Sequence, residues 1–182
     1  MTISLKISEF AQHFVGRRCT GFVAGVGTGS HVTLEFEPRL RRSAPLSNSL
    51  LSEEQRLTEA EYSIFILCTW RLDAEVGVVT GAWDDNAEGG PMILGLERLV
   101  GCNLGRFEIS EPGMDAILQF GDLRVRIFCD QLNPEDAEDN YVLFGPDVIM
   151  TVGTRSVIAE EVRSRDTPRA APIRGVPRLP ES

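Results

Sequence analysis

The stretch Leu94-Gly-Leu-Glu-Arg-Leu-Val-Gly101 leads through Phe107 into Asp115-Ala-Ile-Leu-Gln-Phe120, Leu123-Arg-Val-Arg-Ile-Phe-Cys-Asp130 and Asn140-Tyr-Val-Leu-Phe144. Leu94, Leu96, Leu99 and Val100 give a short helix over Met92–Val100, closed by Gly101. Strand-like segments follow at about 103–110, 115–120, 123–130 and 141–144. Gly121-Asp122 is short enough for a hairpin turn. Further strands are expected at 148–152 and 157–162.

Upstream, the chain reads as a related half. Ser8 is a candidate cap for a helix over Glu9–Val15, with Gly16 as its stop. A strand is expected over Arg17–Ala24, then a loop over Gly25–Ser30. His31-Val-Thr-Leu-Glu-Phe-Glu37 alternates, with Val32, Leu34 and Phe36 on one face. Tyr62–Trp70 is apolar nearly throughout, as a central strand covered on both faces would be. Glu75–Trp83 carries a β-branched run. Pro38 to Glu61 breaks the pattern and reads as a long surface insertion, with one or two helical turns at Ser52-Glu-Glu-Gln-Arg56.

Val15-Gly16 followed by Phe22 matches Val100-Gly101 followed by Phe107 at one spacing. Leu34-Glu-Phe36 matches Leu118-Gln-Phe120 one residue out of that register, and Ile66-Leu-Cys68 matches Ile127-Phe-Cys129. The expected fold is therefore α+β, mainly antiparallel β with two short helices. It would be built from two related halves, about 5–83 and 92–162, as an internal duplication would leave them. One globular domain is expected over 1–162. Residues 163–182, rich in Arg and Pro, read as a disordered tail.

The 182 residues carry a net charge of −9. Without the tail, 13 basic against 25 acidic residues leave −12. Such a surface repels nucleic acid and anionic lipid and speeds encounter with a basic partner. Four scattered cysteines without a C-x-x-C pattern, no secretory leader pattern and no bilayer-length apolar run point to a reducing cytoplasm.

No motif carries a known chemistry. Gly25-Val-Gly-Thr-Gly-Ser30 lacks the Lys of a phosphate loop and precedes a strand, so it reads as a hairpin loop. Asp84-Asp-Asn-Ala-Glu-Gly89 resembles the start of a calcium loop, but its twelfth position is Gly95 where a bidentate Glu is required. His13 and His31 read as surface or boundary histidines. No catalytic residue, metal ligand or cofactor site is assigned.

The strongest polar feature is Asp130–Asn140, ended by Tyr141. With Trp70 and Trp83 in the companion half, it forms acid rimmed by aromatics, the composition of an interface for a basic protein. The candidate protein-binding residues are Trp83, Asp84, Asp85, Glu88, Asp130, Glu135, Asp136, Glu138, Asp139 and Tyr141.

Together Cys68-Thr-Trp-Arg-Leu-Asp73, Gly81-Ala-Trp-Asp-Asp85, Leu96-x-x-Leu-x-Gly101, Asp115-Ala-Ile-Leu-Gln-Phe120, Val125-Arg-Ile-Phe-Cys-Asp130, Asn140-Tyr141 and Val152-Gly153 resemble the small acidic immunity-type proteins of bacterial toxin systems. The resemblance covers about 62–161. It implies a non-enzymatic protein that binds and neutralises a cognate basic toxin or effector domain. A structural or regulatory module that holds a small ligand or forms a homodimer is the alternative, and an enzyme stands behind both.

Overall fold

Val32, Leu34 and Phe36 are all buried, as their alternation requires. They lie on β2 (Val32–Arg41), which pairs with β1 (Cys19–Val23) and β3 (Thr58–Ile66). The computed structural model describes residues 3–48, 51–133 and 138–163. Its further strands are β4 (Thr69–Ala74), β5 (Gly77–Gly81), β6 (Arg106–Ser110), β7 (Asp115–Phe120), β8 (Leu123–Phe128), β9 (Tyr141–Phe144), β10 (Val148–Val152) and β11 (Ile158–Val162). The helices are α1 (Ile3–Gln12), α2 (Glu53–Leu57) and α3 (Pro91–Glu97). The fold is α+β and mainly antiparallel β.

Two sheets form, in the orders β1-β2-β3-β9-β10-β11 and β5-β4-β8-β7-β6. The chain lays down the meander β1-β2-β3 and crosses over to place the hairpin β4-β5 in the other sheet; it then adds the meander β6-β7-β8 to that second sheet and crosses back to place three strands, β9-β10-β11, in the first. The halves meet at Arg18 and Asn103, which bridge antiparallel. Around that point Gly16 N–H donates to Leu104 O at 2.7 Å and Gly101 N–H to Cys19 O at 2.8 Å. Cys19 N–H donates to Cys102 O and Leu104 N–H to Arg17 O, each at 2.9 Å. Both helix-stop glycines take a positive φ, 87° and 89°, that a side chain would oppose. Between the sheets Phe36 stacks on Phe120, 6.1 Å between ring centres.

The helices close the open sides of this sandwich. α1 packs on β6 and β11, and α3 on β5 and β1, so each bridges edge strands of both sheets. Ile7, Ala11 and Phe14 recur at helical spacing and are fully buried. Phe14 meets Phe36, Tyr62 and Phe107 edge-on.

Four sequence expectations change. The first helix begins at Ile3, with Ser8 inside it, because the apolar stripe starts before Glu9. Tyr62–Trp70 is two strands, since Leu67–Cys68 is where the chain changes sheets. Pro38–Glu61 is paired at both ends: Arg39 sits opposite Ala60 and Arg41 opposite Thr58. Pro38 falls at the register shift between Phe36 and Arg39, where a missing N–H costs no ladder bond. The expected turns at 52–56 form α2 as a third short helix, fixed by a capping box between Ser52 and Gln55. Finally, Arg163, read as the first tail residue, is held by the Gly145 carbonyl at 2.8 Å and by Glu59. Residues 164–182 lie outside the described residues.

Tyr141 corrects the list of candidate contacts. It is fully buried, and its hydroxyl donates to Met114 O at 3.0 Å. It opens β9 just as Trp70 follows the first residue of β4, where Trp70 Nε1 donates to Ser30 O at 2.7 Å. Each half thus ties its first hairpin turn to a buried aromatic of its crossing strand. Tyr141→Phe keeps the ring and removes one bond to a turn whose Met114 holds φ 62°. The expected loss is about 1–2 kcal/mol, read from urea unfolding.

Candidate acidic binding cleft

The crossovers place the ends of distant segments around one cleft of about 270 Å³. Ser30 and His31 enter from the β1–β2 hairpin, and Leu67, Cys68 and Thr69 from the first crossover. Trp83 comes from the segment after β5, and Asp130, Gln131 and Glu138 from the segment after β8. Three of the residues singled out in the sequence, Trp83, Asp130 and Glu138, therefore face one space.

Trp83 is 83% exposed, whereas Trp70 is 1% exposed. The difference follows from position. Trp70 points between the sheets, while Trp83 follows the last residue paired with β4. The Asp130 carboxylate is aimed by Thr69, whose N–H reaches Oδ1 at 3.3 Å and whose hydroxyl donates to Oδ2. Both acceptors keep lone pairs for a cationic donor. His31 lies edge-on to Phe65, 6.0 Å between centres.

The glycine-rich loop forms part of the wall rather than a phosphate cradle. Asn86 Nδ2 donates to Gly25 O at 2.9 Å and Gly29 O at 2.8 Å, while Trp70 holds Ser30. Asn86 thereby docks the acidic loop after Trp83 against the glycine loop. In that loop Asp84 Oδ2 accepts from the Thr80 hydroxyl at 2.7 Å and from Gly81 N–H at 3.0 Å. Asp85 Oδ1 accepts from Ala87 N–H at 2.9 Å. These carboxylates cap a turn and remain exposed, as does Glu88. Asp139 is half-buried beside Glu138. Glu135 and Asp136 lie outside the described residues.

Among the described residues, no group of three or more His, Cys, Asp or Glu side chains is placed to hold a metal ion. No described helix is long and apolar enough to cross a membrane. A second cavity, about 180 Å³ between β1 and α2, is lined by the ion pair of Glu35 and Arg39, 2.8 Å apart.

Burial, followed by the nearby thiols and Asp115, pushes the Tyr141 hydroxyl well above its ordinary range. It stays a neutral donor to Met114. Sequence reasoning passed over Ser30, His31 and Cys68 as cleft residues. The signal within reach was that each lies at a hairpin end or crossover, with Cys68 itself still buried there. Comparison with protein-family models, curated proteins and solved structures gave no match.

Proposed function

We propose that this chain is a non-enzymatic binding protein of the immunity type, which neutralises a cognate bacterial toxin by gripping a basic segment at the acidic cleft. One observation carries the reading: an indole exposed over 83% of its surface shares a cleft with the carboxylates of Asp130 and Glu138. A flat aromatic face beside carboxylates, that of Asp130 held by Thr69, suits a Lys or Arg side chain, through cation–π contact and charge-assisted hydrogen bonds. The exposed carboxylates of Asp84, Asp85 and Glu88 extend the same sign of charge beside the cleft, and the net charge steers a cationic partner toward it. A toxin–antitoxin pair meeting in the cytoplasm fits four free cysteines.

The test is association kinetics with the basic protein that elutes stoichiometrically from a host lysate as salt is raised. Between about 50 and 500 mM salt the on-rate should fall at least tenfold while the off-rate moves little. A salt-independent on-rate, or recovery of the bait alone, overturns the proposal.

Self-association is the competing reading. Val78, 64% exposed, lies on β5 and Val76, 98% exposed, in the turn before it, and β5 stands at the end of its sheet order. Such an edge can add a strand from a second copy. A dimer in light scattering at micromolar concentration, with no second protein bound, would favour it.

A further inference from the structure

We propose that the turn Thr154-Arg155-Ser156 is a strained clasp whose positioning residues, Thr154 and Arg155 with Asn140 behind them, hold the acidic wall of the cleft in place for its cationic ligand. Three non-glycine residues take a positive φ among the described residues: Met114 at 62°, Arg155 at 55° and Ser156 at 60°. All three meet at one place, because the Ser156 hydroxyl donates to Gly113 O at 2.6 Å. A side chain opposes this region of backbone conformation, and two such residues in succession make a costly turn. Strain of this kind persists only where surrounding contacts over-determine it, and it concentrates at sites that must keep one geometry.

What the turn holds is the wall of the cleft. Arg155 N–H donates to Gln131 O and the Thr154 hydroxyl to Glu138 O, each at 2.9 Å. Asn140, fully buried, ties the same segment from the other side. Its Oδ1 accepts from Gln131 N–H at 3.1 Å, and its Nδ2 donates to Gly153 O at 2.7 Å, one residue before the turn. Its backbone carbonyl accepts from Leu67 N–H at 2.9 Å and Cys68 N–H at 3.1 Å. Leu67, Cys68, Gln131 and Glu138 all line the cleft, so one asparagine and one turn fix four of its residues.

The hairpin between β10 and β11 does not need these bonds. Its last ladder pair, Val152 opposite Ile158, and the 2.7 Å bond from Gly153 N–H to Val157 O close it. Glycine at 155 and 156 would make the same turn without strain, and a hydroxyl at 154 adds nothing to the ladder. The donors are therefore accounted for by the cleft rather than by the sheet. Fixing the carbonyls of Gln131 and Glu138 fixes the backbone from which the Glu138 carboxylate projects, next to Asp130, which Thr69 already holds. Carboxylates held in place beforehand bind a cation without first losing their own freedom. This role presupposes the acidic cleft as the binding site, but it belongs to the free chain and is read without a partner.

The test is collisional fluorescence quenching of the free full chain by cesium and by iodide at matched ionic strength. Trp83 answers it, since Trp70 is buried. Carboxylates beside the indole attract cesium and repel iodide, so the cesium-to-iodide ratio should be about threefold that of free N-acetyltryptophanamide. Glu138→Gln should lower it by about a third. Thr154→Val, which removes a hydroxyl and no charge, should lower it as far, whereas Thr154→Ser should keep the wild-type value. Arg155→Gly keeps the N–H to Gln131 and relieves the strain, so Tm should rise by about 2–4 °C with the ratio at or above wild type. The clasp is overturned if Thr154→Val keeps the wild-type ratio, if Thr154→Ser lowers it equally, or if Arg155→Gly fails to raise Tm or lowers the ratio. The glycine readout stands whether or not Thr154→Val folds. A wild-type ratio equal to that of the free amide would show that no carboxylate wall faces Trp83, and cleft and clasp would fall together. Failure to capture a basic partner would strike the immunity reading and leave the clasp standing.

Discussion

Replacing Arg39 with alanine is expected to cost about 3–5 kcal/mol of stability, because it strands a buried carboxylate. Glu35 is only 6% exposed, and its Oε2 lies 2.8 Å from Arg39 Nη1. The same guanidinium donates to Thr58 Oγ1 at 2.8 Å and reaches Thr20 Oγ1 at 3.4 Å, so one side chain joins β1, β2 and β3. Without it Glu35 keeps only a 3.5 Å contact from Gln55. Glu54, also 3.5 Å from Arg39, is 68% exposed at its side chain, and its screened charge contributes little. Urea unfolding at neutral pH measures the loss. Converting both Glu35 and Arg39 to apolar residues of similar volume should recover most of it, since the penalty belongs to the unpaired charge rather than to the pair. A single variant within about 1 kcal/mol of wild type would show that water reaches Glu35 freely.

That network also explains a limit of the sequence reading. Pro, Arg, Ser and Glu between Pro38 and Glu61 signal a surface insertion when each is priced separately. Arg39 and Glu35 lie four residues apart on β2, but they are buried only once β1 and β3 flank that strand and α2 covers them. A charge pair can be local in sequence while its burial is not. Where burial is one-sided the pattern was legible: Val32, Leu34 and Phe36 gave strand and face together, and Gly121-Asp122 gave the hairpin. The Tyr62–Trp70 run misled for the opposite reason. Strands on both sides of the Leu67–Cys68 crossover are buried, so hydrophobicity does not drop where the chain leaves one sheet for the other. Of the candidate site, Trp83, Asp130 and Glu138 were legible as residue types. Their convergence was not, because it depends on segments after β5 and β8 ending at the same side of the sandwich.

The largest paired effect concerns the two tryptophans, which are chemically identical and should fail in opposite assays. Trp70→Ala removes a fully buried indole and its bond to Ser30 O, and is expected to cost about 3–5 kcal/mol of stability. It would also release the hairpin loop that walls the cleft, so any loss of binding would follow the loss of fold. Trp83→Ala removes a side chain that supports nothing beneath it, and stability should stay within about 0.5 kcal/mol of wild type. Its effect should fall on affinity: an aromatic anchor among fixed carboxylates is worth about 2–4 kcal/mol, roughly thirtyfold to a thousandfold in Kd. Thermal melts and binding titrations on both variants separate the outcomes. Fluorescence gives an independent check, because the chain has only 2 tryptophans. Acrylamide should quench Trp83 in the free protein and lose access to it in the complex, while Trp70 stays shielded in both. If Trp83→Ala binds within threefold of wild type, the acidic cleft is not where the partner sits. The self-associating β5 edge would then be the surface to cut next.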